Sequence, residues 1–192
     1  MDIAIIKYNA GNIQSVLYAL ERIGATARVT DDADLIRSAD RVIFPGVGEA
    51  ASAMQYLKER KLDQLIKDLK QPVLGICLGM QLLCRHSEEG DTACLGIFDT
   101  EVKRFKTSLK VPQIGWNNVQ ALKGPLFENV AENSYFYFVH SYYAALCSHT
   151  IAETEYDIRF SSALSNGNFS GVQFHAEKSA TAGEQLLKNF LR

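Results

Sequence analysis

Short apolar runs alternate with segments of helical spacing along the first half of the chain. Four of these runs are typical of buried strands, at 3–6, 25–30, 41–44 and 73–76. The apolar spacing over 13–23 predicts a helix that ends at Gly24, and 49–70 predicts two further helical pieces. Because strands and helices alternate, we expect a parallel sheet with helices on both faces.

The second half of the chain has strand-like runs with few helices between them. These runs lie at 100–105, 119–122, 135–138, 142–146, 151–156 and 168–174. They predict an antiparallel extension of the sheet. The spacing over 179–192 then predicts a closing helix with one apolar face. The pattern therefore indicates an α/β fold whose sheet is open and mostly parallel.

Cys77 falls where the strand at 73–76 meets a helix predicted over 78–83. Gly75 and Gly79 flank it, and glycine leaves room for a sharp turn because it has no Cβ. Such a turn lifts one side chain above the sheet, like the elbow that presents a nucleophile in α/β hydrolytic folds. A thiol at a helix N-terminus is more readily ionised. Free cysteines are also common as inert core residues, so the turn alone leaves both readings open.

A catalytic thiol needs a base, and the base needs a group that orients it. Four histidines are available as bases. His175 follows a predicted strand, and Glu177 lies two residues later, where extended chain turns both side chains to one face. That carboxylate can bind one ring nitrogen and leave the other for the thiol. His140 is the rival because it also ends a strand, but it has no nearby carboxylate. The remaining two, His86 and His149, lie in polar segments.

Attack on an amide also needs fixed donors for the oxyanion. The backbone N–H of Leu78 is one candidate, and the turn Gly46-Val47-Gly48 can supply a second. Asn12, this turn and Cys77 each follow a predicted strand of the parallel sheet. They should therefore lie on the same edge, where such sheets bind ligands.

Composition bounds the function. The 192 residues suit one domain, are 47% hydrophobic and 22% charged, and carry a formal net charge of −2. This charge gives no support for nucleic-acid binding, and no apolar run is long enough for a membrane span. No signal peptide is recognised at the N-terminus. The four cysteines show neither a Cys-x-x-Cys pair nor metal-ligand spacing, so we expect free thiols in the cytoplasm and neither metal nor cofactor.

Three segments together resemble the class I glutamine amidotransferases, which use a Cys-His-Glu triad. They are Pro45-Gly46-Val47-Gly48, Gly75-Ile76-Cys77-Leu78-Gly79-Met80-Gln81 and Gln173-Phe174-His175-Ala176-Glu177-Lys178-Ser179. Their order and spacing extend over essentially the whole chain. The resemblance implies a flavodoxin-like fold, one amidotransferase domain over 1–192, and a thioester intermediate.

Within that family, the glutaminase subunits of imidazole glycerol phosphate synthases are similar in three further segments. These are Tyr8-Asn9-Ala10-Gly11-Asn12, Gln113-Ile114-Gly115-Trp116-Asn117 and Tyr137-Phe138-Val139-His140-Ser141-Tyr142. This similarity implies a heterodimer with a (βα)₈-barrel cyclase in histidine biosynthesis. The glutaminase would hydrolyse glutamine, and the cyclase would use the ammonia to form imidazole glycerol phosphate and an aminoimidazole ribonucleotide.

The resemblance also implies a role for individual residues. The nucleophile would be Cys77, the base His175 and the orienting carboxylate Glu177, with oxyanion N–H groups from Val47 and Leu78. Glutamine would be held by Gly48, Gln81, Glu89, Ser141 and Tyr142. The cyclase would contact Asn12, Trp116, Tyr137 and Lys178.

One residue departs from the family pattern. Ala176 stands between the histidine and the glutamate where most relatives have proline, which would restrain the His175 backbone. We expect a modest cost in preorganisation and no loss of the triad. The alternatives are a paralogous glutaminase for an amino-sugar or surface-glycan pathway, a non-catalytic regulatory subunit, and a different thiol hydrolase, against which the narrower motifs argue.

Overall fold

The computed structural model describes residues 1–9 and 11–192, so position 10 of the turn at 8–12 lies outside it. The helices are α1 Ile13–Arg22, α2 Ala33–Ser38, α3 Ala50–Glu59, α4 Leu62–Asp68, α5 Leu78–Leu83 and α6 Ala180–Phe190. The strands are β1 Ile3–Ile6, β2 Arg28–Thr30, β3 Arg41–Phe44, β4 Val73–Ile76, β5 Cys84–Ser87, β6 Thr92–Ala93, β7 Phe98–Arg104, β8 Gln113–Asn118, β9 Tyr135–His140, β10 Tyr142–Ala144, β11 Thr150–Tyr156, β12 Ile158–Asn166 and β13 Phe169–Val172. Within the described ranges, no helix is long and apolar enough to cross a membrane.

The main sheet confirms the predicted fold class. Its order is β2-β1-β3-β4-β13-β12-β10-β7-β5-β6, with β11 on β12. Neighbours from β2 to β13 pair in parallel, and the pairings β13–β12, β12–β10 and β10–β7 are antiparallel. The last strand returns late in the chain to lie beside β4, which brings the C-terminal motif next to the Cys77 turn.

The parallel strands are buried on both faces, which explains their continuous apolar runs. Ile3 and Ile5 of β1 pack into one hydrophobic cluster with α1 and α6, while Ala4 and Ile6 pack into the other with α3 and α4. The carboxyl ends of β1, β3 and β4 share one edge, as the sequence predicted. Strand β13, whose segment was predicted within the antiparallel extension, instead pairs in parallel with β4 and ends at this same edge.

Two predicted strands differ from the structure for local reasons. The strand predicted over 25–30 begins only at Arg28, because the N–H of Ala25 closes α1 by donating to the carbonyl of Leu20. The strand predicted over 119–122 is wrong. Only an isolated bridge between Gln120 and Glu153 forms there, and Ala121 has a φ of +56°, which extended chain does not adopt.

Strand β8 had no strand prediction because its polarity is inverted. It pairs with β9 in a separate two-stranded sheet. Its inward side chain is the polar Gln113, whereas Ile114 and Trp116 are 56% and 52% exposed. Its neighbour Tyr135 on β9 is 61% exposed. This hairpin therefore presents apolar side chains to the outside, which is the character of a contact surface.

Candidate active site

Cys77 occupies the sharp turn between β4 and α5, with a φ of +53° that non-glycine residues rarely adopt. The turn presses α5 against the ends of the strands. A Cβ on Gly79 would clash with the carbonyl oxygen of Phe44, and one on Gly75 would lie 2.8 Å from the backbone nitrogen of Met80. The backbone N–H of Cys77 donates to the carbonyl of Val172 at 2.8 Å, which ties the turn to β13. A strained, fully supported turn of this kind is typical of a functional residue.

His175 and Glu177 form a buried pair beside this turn. The Nδ1 atom of His175 lies 2.7 Å from the Oε1 atom of Glu177, and both side chains are almost wholly buried. Asn12 donates its side-chain N–H to the same carboxylate oxygen at 2.5 Å. The Nε2 atom of His175 is buried and has no hydrogen-bond partner in the described part of the chain. The ring thus has one nitrogen fixed and the other free to exchange a proton.

The charge state of His175 follows from its neighbours. Burial alone would lower its pKa, but the proximity of Cys77 and Glu177 favours the protonated ring and raises the pKa to about 10. The backbone of His175 is also fixed, since its N–H donates to the carbonyl of Tyr137 at 2.8 Å. At neutral pH an imidazolium therefore stands near the sulfur, which is the partner that favours a thiolate.

The backbone N–H groups of Leu78 and Val47, expected to bind an oxyanion, are not both directed into the site. The N–H of Leu78 donates to the carbonyl of Gly46 at 3.3 Å. In a trans peptide the C=O and the N–H point in opposite directions, so the N–H of Val47 on that same peptide points away from Leu78. Tyr8, which carried no predicted role, donates its hydroxyl to the carbonyl of Pro45 at 2.6 Å and anchors the turn.

A cavity of about 280 Å³ lies over the turn and has Cys77 in its wall. All five residues predicted to hold glutamine line it, together with both predicted oxyanion residues: Gly48, Gln81, Glu89, Ser141, Tyr142, Val47 and Leu78. Its lining offers a carboxylate, an amide and backbone groups, which suits a small zwitterionic amide.

Hydrogen bonds hold one carboxylate oxygen of Glu89 and the amide nitrogen of Gln81. One carboxylate oxygen of Glu89 accepts the N–H of Ala50 at 2.8 Å, and burial raises the pKa of this half-buried group. The Nε2 atom of Gln81 donates to the carbonyl of Tyr142 at 3.0 Å and to the Oε1 atom of Gln173 at 2.9 Å. Both hydrogens of that amide are used, so Gln81 has only its oxygen left for a ligand.

His140, the rival base, has both ring nitrogens engaged by groups other than Cys77. Its Nδ1 lies 2.7 Å from the carbonyl of Tyr142, and its Nε2 lies 2.8 Å from the side-chain amide of Gln113. Burial lowers its pKa to about 4, so the ring is neutral near pH 7. His86 binds the exposed Asp91 at the surface. Of the described residues, no three His, Cys, Asp or Glu side chains are grouped to hold a metal ion.

Of the residues predicted to face a partner, Trp116 and Tyr137 lie on the β8–β9 hairpin, while Asn12 donates a hydrogen bond to Glu177 and Lys178 follows that glutamate in sequence. Trp116 and Tyr137 are opposite each other in the β8–β9 hairpin, with ring centroids 5.9 Å apart. Lys178 is exposed and Asn12 half-buried. The exposed Ile114 and Tyr135 extend the same apolar patch.

Comparison with known proteins agrees with this geometry. The model of the family "Glutamine amidotransferase class-I" matches residues 4–192. The imidazole glycerol phosphate synthase subunit HisH of Bacteroides fragilis is 57% identical, over 100% of this chain and 99% of that protein. The HisH of Haemophilus influenzae strain Rd is 47% identical over 100% and 97%.

Solved structures share the fold at low identity. A crystal structure of a glutamine amidotransferase has a TM-score of 0.76 at 17% identity and covers 98% of this chain and 96% of its own. PurLQS from Thermotoga maritima has a TM-score of 0.74 at 14% identity, over 99% and 97%. The family model and the HisH relatives cover nearly the whole chain, and the chain belongs to the class I glutamine amidotransferase family.

Proposed function

We propose that this chain is the glutaminase subunit of an imidazole glycerol phosphate synthase. The observation that carries the proposal is the buried His175–Glu177 pair, joined at 2.7 Å, beside a cysteine on a nucleophile turn. The full-length similarity to HisH proteins supports the pathway, and the free thiols of all four cysteines suit a reducing cytoplasm. We assign the whole of residues 1–192 to one catalytic domain.

The reaction begins with a glutamine in the cavity above Cys77. The thiolate attacks the side-chain carboxamide carbon, and the carbonyl oxygen becomes an oxyanion. The protonated His175 gives its proton to the nitrogen, the C–N bond breaks and ammonia leaves a thioester on Cys77. His175 then takes a proton from water, which attacks the thioester and releases glutamate. Glu177 holds the ring in one orientation throughout.

The oxyanion turn must change before this chemistry is fast. Rotation of the peptide between Gly46 and Val47 would break its bond to Leu78 and free that N–H. The same rotation would turn the N–H of Val47 toward the cavity, so one movement would supply both donors. We therefore expect slow hydrolysis by the isolated chain.

A (βα)₈-barrel cyclase is the proposed partner, and the β8–β9 hairpin is its proposed contact surface. The hairpin touches both reacting residues from behind. The carbonyl of Tyr137 holds the N–H of His175, and the carbonyl of Val139 lies 3.8 Å from the sulfur of Cys77. Docking onto this surface would thus reach the reaction centre directly. It would also keep ammonia out of water, where it is protonated and lost as a nucleophile.

The test is glutamate release by the purified chain, with and without a histidine-pathway cyclase and its nucleotide substrate. Wild type is expected to be slow alone and much faster in the complex, Cys77→Ala inactive in both, and Cys94→Ala, a matched control away from the cavity, active. Turnover by Cys77→Ala would refute the glutaminase assignment. Glutamate release that the cyclase leaves unchanged would favour the paralogous pathway instead.

A further inference from the structure

Gln173 lies next to the nucleophile and is wholly buried. The parallel register of β13 on β4 pairs Val172 with Ile76, so the next residue of each strand, Gln173 and Cys77, stand side by side. The Nε2 atom of Gln173 lies 3.7 Å from the Sγ atom of Cys77, within the range of an N–H···S hydrogen bond.

Two successive hydrogen bonds fix the orientation of the Gln173 side-chain amide. The carbonyl of Tyr142 can only accept, so the amide of Gln81 must present its Nε2 to it, at 3.0 Å. The second hydrogen of that Nε2 lies toward Gln173 at 2.9 Å and requires an oxygen there. Gln173 must therefore present Oε1 to Gln81 and its N–H to the sulfur.

The sulfur has an opposing contact on its other side. The carbonyl of Val139 lies 3.8 Å away and can only accept a hydrogen bond, so it favours the neutral thiol. An N–H donor favours the thiolate, because a hydrogen bond to the charged form is the stronger one. Gln173 places a neutral side-chain N–H donor against this sulfur, in addition to the nearby ring of His175.

We propose that Gln173 is a positioning residue that donates its N–H to the sulfur of Cys77 and holds it as a thiolate, with Gln81 locking the amide in that orientation. This inference rests on Cys77 being the nucleophile of the proposed function. It gives the buried chain from Tyr142 through Gln81 to Gln173 a chemical purpose beyond packing.

The test is the pH dependence of Cys77 alkylation by iodoacetamide, followed by mass spectrometry of the peptide that carries it. Gln173→Met keeps the volume and removes the donor. We expect its alkylation profile to move to higher pH, with about tenfold slower alkylation at neutral pH, as for loss of a hydrogen bond to a charged group. Gln113→Met is the matched control: it removes another buried glutamine near the cavity that has no contact with the sulfur, and should keep the wild-type profile.

Gln173→Leu is the second variant. Leucine can neither accept from Gln81 nor donate to sulfur, so the alkylation profile should move in the same direction as for Gln173→Met. A glutamate is unsuitable because, at this buried position, it could be protonated and donate to sulfur. A wild-type profile in either variant would overturn the proposal, as would an equal shift in Gln113→Met. Alkylation does not depend on glutamine turnover. Wild type that releases no glutamate even with the cyclase and its nucleotide substrate would refute the proposed function, while its alkylation profile would still decide the role of Gln173.

Discussion

The carbonyl of Gly46 accepts the backbone N–H of Leu78 at 3.3 Å, directly beside Cys77. The donor expected to stabilise an oxyanion is thus engaged by the turn that should supply the second donor. The proposed thiol, base and carboxylate thus stand together while one expected oxyanion donor is hydrogen-bonded and the other points away. This arrangement makes the turn at 45–48 the natural point of control.

Tyr8→Phe should loosen that turn. The hydroxyl of Tyr8 donates to the carbonyl of Pro45 in a buried contact of 2.6 Å, and a neutral hydrogen bond is worth about 0.5–1.5 kcal/mol. If the bond holds the closed turn, its loss should raise glutamate release by the isolated chain about two- to tenfold. Tyr18→Phe, which changes an exposed ring, is the control. Unchanged or slower basal release in Tyr8→Phe would show that the hydroxyl does not restrain the turn.

The stability of the fold should fall at alkaline pH because of His175. Its pKa is raised to about 10 in the folded chain, so the folded state binds this proton more tightly than the unfolded state, whose histidine titrates near pH 6.5. The stabilising contribution is therefore complete below about pH 6.5 and is lost as the pH rises through about 10. Urea unfolding of wild type and Glu177→Gln over this window measures it. The difference in unfolding free energy between the two should shrink as the pH rises, and a constant difference would contradict the assignment.

Trp116→Ala should weaken binding of the cyclase without weakening the fold. The indole is 52% exposed and packs on Tyr137, so its loss leaves no core cavity. Aromatic anchors at the centre of an interface typically cost about 2–4 kcal/mol when truncated, which corresponds to about 30- to 1000-fold in Kd. Leu146→Ala, another exposed apolar residue outside the hairpin, serves as the control in titration calorimetry. Equal affinities for Trp116→Ala and wild type would place the partner elsewhere.

Ala176→Pro should be accepted by this backbone. His175 is extended, with a φ of −85° and a ψ of 92°, which suits a residue before proline, and Ala176 begins a 3₁₀ turn, where proline is favoured. A compatible proline stabilises by about 0.4–1 kcal/mol through the unfolded state. Thermal unfolding should show this gain, with glutaminase activity kept or slightly raised. A large loss of activity would mean that the site is built around alanine.

The fold was predictable where local pattern decides it. The bounds of β1, β3, β4 and α5 follow from apolar runs and from glycines at the Cys77 turn, because burial on both faces leaves a strong signal. Strand β8 was missed since its exposed side is the apolar one, which a pattern of inward apolar residues cannot detect. This exposed apolar face is the surface proposed above to contact a partner.

The sequence predicted which residues gather at the candidate site, but not the hydrogen bonds that they form there. The sequence motifs predicted that Cys77, His175 and the cavity residues belong to one site, and the order of strands in the sheet brings them close together. The bond between Gly46 and Leu78 depends on one peptide orientation, which residue types do not encode. The contact of Gln173 with sulfur depends on the register of two strands that lie far apart in the sequence.

Strand β9 turns the rings of Tyr135 and Tyr137 outward, and two of its alternate carbonyls contact the backbone N–H of His175 and the sulfur of Cys77. Under the proposed function, recognition and chemistry consequently share a single stretch of main chain. Substitutions in this hairpin that suit a new binding companion would then also displace the groups proposed to cleave the amide, which couples the evolution of the two tasks.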